Sequence, residues 1–215
     1  MADAPMNFSP AQQAHVRIMR AVLSALQNTP LVLKGGTSLL LCHGLDRFSE
    51  DLDFDSPKRL NLESRVGHAL RALTTDLRIT RTKNTDTVQR YRIEYSNADI
   101  QGRLKVEISF RDTITSEDIT ERNNIRTYRV ARLIEQKINA PENRTTARDL
   151  YDVHFLATHF RPDFGEHSLT RLRELTSDVN RLEGRFRPAF EDDDLFRDKT
   201  DLVPGLILAI QNSVG

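Results

Sequence analysis

LKGGTSLLLCHGLDRFSEDLDFD, residues 33–55, holds a Gly-Gly turn, a short apolar run and three aspartates at alternate positions, Asp51, Asp53 and Asp55. The alternation in DLDFD is that of a strand, with Leu52 and Phe54 on one face and the aspartates on the other. LVLK (31–34) before it reads as a short buried strand. TSLLLCHG reads as a two-turn helix that Gly44 stops. Like charges on one strand face repel, so stability alone would disperse them. A divalent cation turns that repulsion into coordination, and Mg²⁺ takes hard oxygen ligands while leaving room for substrate phosphates. The plainer reading is an exposed acidic edge strand. The helix just upstream favours a site, because its free N–H groups, the hydroxyls of Thr37 and Ser38 and the close approach that glycine permits suit phosphate oxygens.

Outward from this unit the pattern is mixed. Ser9, Pro10 and Gln12 form a capping-box start for an N-terminal helix. Residues 61–76 fit an amphipathic helix, and LRITRT, VQRYRIEYS and GRLKVEISF read as three strands. In the last, Leu104, Val106, Ile108 and Phe110 share a face opposite Lys105, Glu107 and Ser109. Helices follow from about residue 127: TYRVARLIEQKINA up to Pro141, TTARDLYDVHFLATHF, HSLTRLRELTSDVNRLEG as one helix, and DLVPGLILAIQNS. The order predicts an α+β fold, with a mixed β-sheet core flanked by helices over residues 1–125 and a helical C-terminal region over 126–215.

Glu107 is the candidate third carboxylate, on the strand best placed to neighbour DLDF; an exposed glutamate paired with a cation is its alternative. Lys137 falls on an apolar helix stripe with Val130, Leu133 and Ile134, which is costly unless it snorkels or meets an anion. Asp149 and Asp152 lie one turn apart beside Arg148; they orient Lys137, bind substrate, or form a surface ion pair.

Lys and Arg number 31, as do Asp and Glu, so the net charge is zero and there is no general basic field for nucleic acid. RTKNTDTVQRYR and ERNNIRTYRVAR are local basic segments. The one cysteine, Cys42, excludes an internal disulfide and reads as a small buried hydrophobe. The acidic cluster EDDD (191–194) reads as a solvated loop or helix start. No membrane span and no signal peptide are expected, which makes the cytoplasm the default. A Walker-type loop, a Gly-x-Ser-x-Gly elbow and His-Glu-x-x-His are absent from the sequence.

KGGTSLLLCHGLDRFSEDLDFD followed by KINAPENRTTARDLYDVHFL resembles the AbiEii/AbiGii-type nucleotidyltransferase toxins of the polymerase-beta-like superfamily, over roughly residues 31–156. That resemblance implies that Gly35, Gly36, Thr37 and Ser38, next to Lys34, cradle a triphosphate. It implies Mg²⁺ on Asp51 and Asp53, with Glu107 as a less secure third ligand. Arg47 and Ser49 support the loop or touch phosphate; Lys137 neutralises phosphate charge; Asp152 completes the site, with Arg148 and Asp149 beside it. Asp55 falls outside the pattern. The implied reaction moves a nucleoside monophosphate from an NTP to an RNA, notably the tRNA 3′ end. A cognate antitoxin and a role in toxin–antitoxin or abortive phage defence come with it. The shorter helical C-terminal half departs from many such toxins. A small-molecule, antibiotic-type nucleotidyltransferase and a non-catalytic nucleotide- or partner-binding protein are the alternatives.

Overall fold

The structure, a computed structural model, describes residues 8–97 and 100–215, apart from the side chains at 142 and 143. The chain forms two compact units that meet in sequence between Tyr128 and Arg129. The fold is α+β, with a mixed sheet and a helical C-terminal region, as the element pattern predicts.

The first unit opens with α1 (Pro10–Ala25), whose start is the expected capping box: Ser9 Oγ accepts from the Gln12 amide at 3.2 Å, and Gln12 Oε1 accepts from the Ser9 amide at 2.9 Å. Next come β1 (Val32–Lys34), α2 (Gly35–His43) and β2 (Leu52–Asp55). α3 spans Glu63–Leu70, shorter than the expected 61–76. Three long strands follow: β3 (Asp76–Asn84), β4 (Val88–Ser96) and β5 (Gln101–Ser109). A last hairpin, β6 (Ile119–Arg122) and β7 (Ile125–Tyr128), was not expected; its end overlaps the start of the helical region expected from about 127. It turns on Asn123 and Asn124, both at positive φ, a backbone state that asparagine tolerates and tight hairpins require.

These strands make one sheet in the order β3-β4-β5-β2-β1-β7-β6. β2 runs parallel to β5 and β1 parallel to β7; the other pairs are antiparallel. α1 and α3 pack on each other and on β5 and β3, respectively. The apolar alternates Leu104, Val106 and Ile108, with Tyr91, Ile93 and Tyr95 of β4, are buried, each large side chain contributing about 1.5–3 kcal/mol. Polar alternates are left on the other face.

The second unit is helical: α4 (Val130–Asn143), α5 (Ala147–His159), α6 (Glu166–Leu175), α7 (Val179–Asp192) and α8 (Leu202–Val214). α4 continues through Pro141. The single helix expected over 167–184 is two, because the Asp178 side chain accepts from the Arg181 amide at 3.0 Å and starts a new helix. α5 and α7 both pack on α8, whose Val203, Ile207 and Ile210 are fully buried. Among the described residues no helix is long and apolar enough to cross a membrane.

Candidate active site

The centre of the sheet gathers the acidic residues of the first unit. In the β1–β2 register Lys34 lies opposite Asp53, and in the parallel β2–β5 pairing Asp53 lies beside Glu107. Two carboxylates 54 positions apart in sequence are thus neighbours across one strand spacing. The flanking acids are each held by a cation: Asp51 by Lys105 at 2.6 Å, and Glu107 by Arg90 at 2.7 Å. Asp55 is fully buried and takes Lys34 Nζ at 2.6 Å and the Tyr128 hydroxyl at 2.9 Å, which makes it an anchor for Lys34.

Asp53 differs from all three. Among the described residues its carboxylate makes no hydrogen bond and no ion pair. Burial pushes its pKa up, and the charges of Asp51 and Glu107 push it further, against the opposing pull of Lys105 and Lys34. A partly buried, unpartnered carboxylate between two others is costly unless something positive reaches it. That donor set fits a hard divalent ion held by one or two carboxylates plus substrate oxygens. It is not a closed cage: among the described residues no three acidic, His or Cys side chains converge on one point, because Lys105 and Arg90 draw Asp51 and Glu107 aside.

α2 starts directly at Gly35 rather than after a separate Gly-Gly turn, and no side chain caps its N-terminus. Gly35 has φ +75°, and a methyl group there would stand 3.4 Å from Asp53 Oδ2. At Gly36 a methyl would come within 2.7 Å of Arg47 Nη2 and 3.1 Å of Ser49 Oγ. Arg47 is buried over this glycine and donates to the Phe48 carbonyl at 3.0 Å. Thr37 donates to the Asp51 carbonyl at 2.5 Å and meets Ser49 Oγ at 2.7 Å, which ties the start of α2 to the loop that presents β2. His15 of α1 fixes the same loop, with Nε2 2.8 Å from the Glu50 carbonyl and Nδ1 2.5 Å from the Tyr95 hydroxyl; no sequence pattern marked it.

Ser38 does not stand with the phosphate-facing groups. It is fully buried and donates to Thr127 Oγ1 at 2.6 Å, while Thr127 donates to the Leu33 carbonyl, so Ser38 pins α2 to β7. Cys42 is buried, and desolvation pushes its thiol up to about 12.

In the second unit Lys137, on α4, reaches two carboxylates of α5: Asp152 Oδ2 at 2.5 Å and Asp149 Oδ1 at 3.6 Å. All three are buried. Burial raises the Asp149 pKa, but hydrogen bonds from Arg144 and Thr146 and the charge of Lys137 outweigh it and hold the carboxyl below the ordinary range. Arg148 faces elsewhere and donates to Asp193 Oδ2 at 3.0 Å, giving one residue of the EDDD cluster a partner.

The fold of this chain has solved counterparts. A protein from H. pylori described as a putative nucleotidyltransferase shares 35% sequence identity at TM-score 0.89, covering 96% of this chain and 94% of that one. JHP933 from Helicobacter pylori shares 34% identity at TM-score 0.89, covering 97% and 92%. The fold is that of a nucleotidyltransferase. Residues 17–205 match the model of the nucleotidyl transferase AbiEii toxin family of type IV toxin–antitoxin systems. The chain belongs to that family. Among curated proteins none matches it.

Proposed function

We propose that this protein is a Mg²⁺-dependent nucleotidyltransferase that moves a nucleoside monophosphate from an NTP to a hydroxyl of an RNA acceptor, with the tRNA 3′ end as the leading candidate, and that it acts as the toxin partnered with a cognate antitoxin. The observation that carries this reading is Asp53: a carboxylate without a partner, in register with Glu107 and 3.4 Å from the Cβ position of Gly35. When bound, Mg²⁺ would supply charge neutralisation and polarise the α-phosphate.

The chain's own residues do the rest. The uncapped amides at Gly35 and Gly36 receive the phosphates of the donor, and Lys34, held by Asp55, adds a fixed positive charge. Arg47 and Ser49 keep the loop against Gly36. Asp53, with Asp51 in exchange for its Lys105 contact, would hold the ion; Glu107, oriented by Arg90, takes the proton of the attacking hydroxyl. The new bond joins the acceptor oxygen to the α-phosphorus, the bond from that phosphorus to the bridging oxygen breaks, and pyrophosphate leaves. Catalysis on this account is positioning and charge compensation. The family resemblance extends the proposal to Lys137 and Asp152, whose replacement is expected to lower turnover.

The test incubates wild type and Asp53→Ala with labelled NTPs, Mg²⁺ and total tRNA. Label on RNA that disappears in the variant supports the reading. Label on a small acceptor alone favours an antibiotic-type transferase, and no label on any acceptor favours a binding protein.

A further inference from the structure

We propose that the open face of β3, β4 and β5 binds the phosphate backbone of a single-stranded RNA and leads it to Asp51 from the β5 side of β2, away from α2. This deepens the nucleotidyltransferase reading and rests on it.

The sheet order puts β1 and β7, which α2 packs against, on one side of β2, and β5, β4 and β3 on the other. Donor phosphates at α2 leave the second side for an acceptor. On that side lies a hollow of about 550 Å³ bounded by Asp51 and lined by Lys83, Arg90, Arg92, Arg103 and Lys105. In a chain of zero net charge, five cations against two acids, Glu50 and Asp51, is a strong segregation. The pleat enforces it. Arg90 and Arg92 alternate with buried Tyr91 and Ile93, and Arg103 and Lys105 alternate with buried Leu104 and Val106, so these cations cannot turn inward.

The register adds a second observation. Arg92 lies directly opposite Lys105, and Lys83 opposite Arg90, while Glu107 and Glu94 stand opposite Arg90 and Arg103. Like charges directly opposite each other destabilise a sheet, and bridging anions reverse that effect. Glu107 and Asp51 occupy Arg90 and Lys105, but Arg92 reaches Glu94 only at 4.0 Å. Among the described residues Arg103 and Lys83 have no ion pair. Tyr91, the aromatic residue bordering the hollow, turns its ring to the buried face of the sheet, where its hydroxyl donates to the Leu60 carbonyl. The surface therefore offers charge without a stacking platform, which suits backbone phosphates and is indifferent to base sequence. The cations span three strands, more than one triphosphate needs.

The test measures binding of a fluorescein-labelled oligouridylate to the full chain by anisotropy, without NTP, over a salt series. Arg92→Ala/Arg103→Ala is expected to weaken binding roughly tenfold at low salt. It should also lower the slope of log K against log salt by about 1.4, near 0.7 for each single-strand phosphate that no longer meets a cation. Arg92→Lys/Arg103→Lys is expected to restore most of the slope. Nucleotide binding should be that of wild type, and the unfolding midpoint should be no lower, since Arg92→Ala removes the like-charge pair with Lys105. Unchanged RNA affinity and slope in the alanine variant overturn the proposal, as does a loss of nucleotide binding in place of RNA binding. A wild type that transfers nucleotide to some acceptor yet binds no oligouridylate at low salt overturns the RNA face and leaves the transferase standing. RNA binding that follows the expected pattern in a protein that transfers nothing sinks only the enzymatic reading.

Discussion

Replacing Asp53 with asparagine should make the metal-free protein more stable while abolishing its response to magnesium. Neighbouring strands lie about 4.8 Å apart, and unit charges about 5 Å apart repel by roughly 3 kcal/mol at an effective dielectric constant of about 20. Asp53 faces Glu107 at that spacing, with Asp51 two residues away, and Lys105 and Lys34 offset part of the repulsion. Asn is isosteric, so no cavity forms. The net gain from Asp53→Asn is then roughly 1–2 kcal/mol, after the offset and with the desolvation cost removed. Magnesium at about ten times its dissociation constant stabilises wild type by about 1.4 kcal/mol and should leave the variant unmoved. Urea denaturation followed by circular dichroism, in EDTA and in magnesium, reads both effects. A variant less stable than wild type in EDTA, or one that gains as much from magnesium, would refute the electrostatic account of this patch.

Gly36→Ala should force Arg47 off the start of α2, costing about 1–3 kcal/mol by overpacking; the thermal shift induced by ATP and magnesium should shrink with it. Lys137→Met strips Asp152 and Asp149 of their shared cation and should cost roughly 3–5 kcal/mol, with Lys137→Met/Asp152→Asn recovering much of the loss in denaturant titrations. His43 is pushed down from 6.5 to about 4, first by burial and then by the charge of Arg122. Its neutral form is the one that folds, so its contribution is complete above pH 6.5 and falls by about 3 kcal/mol as pH drops toward 4. His43→Gln should flatten that part of the stability profile, and an unchanged slope would rule out His43 as its source. Cys42, with its thiol pushed up to about 12 inside the fold, should resist iodoacetamide at neutral pH until the chain is unfolded.

Local chemistry was legible in the chain itself. The capping box at Ser9, the stop at Gly44 and the alternations in β2, β4 and β5 depend on near neighbours and fixed periods, so short stretches of sequence were enough to state them. The hairpin at Asn123–Asn124 was also written there, as two residues that tolerate positive φ between short runs, but the stretch before the helical region was assigned no element. Partnership was not legible. Only the sheet order sets Glu107 beside Asp53, gives Lys105 to Asp51 and Arg90 to Glu107, buries Asp55 on Lys34 and Tyr128, and turns Ser38 from a phosphate ligand into a tie to β7. The aspartates of DLDFD look alike in sequence. Which of them is left without a counter-charge is a question of distances between strands far apart in the chain, and those distances exist only once the sheet has formed.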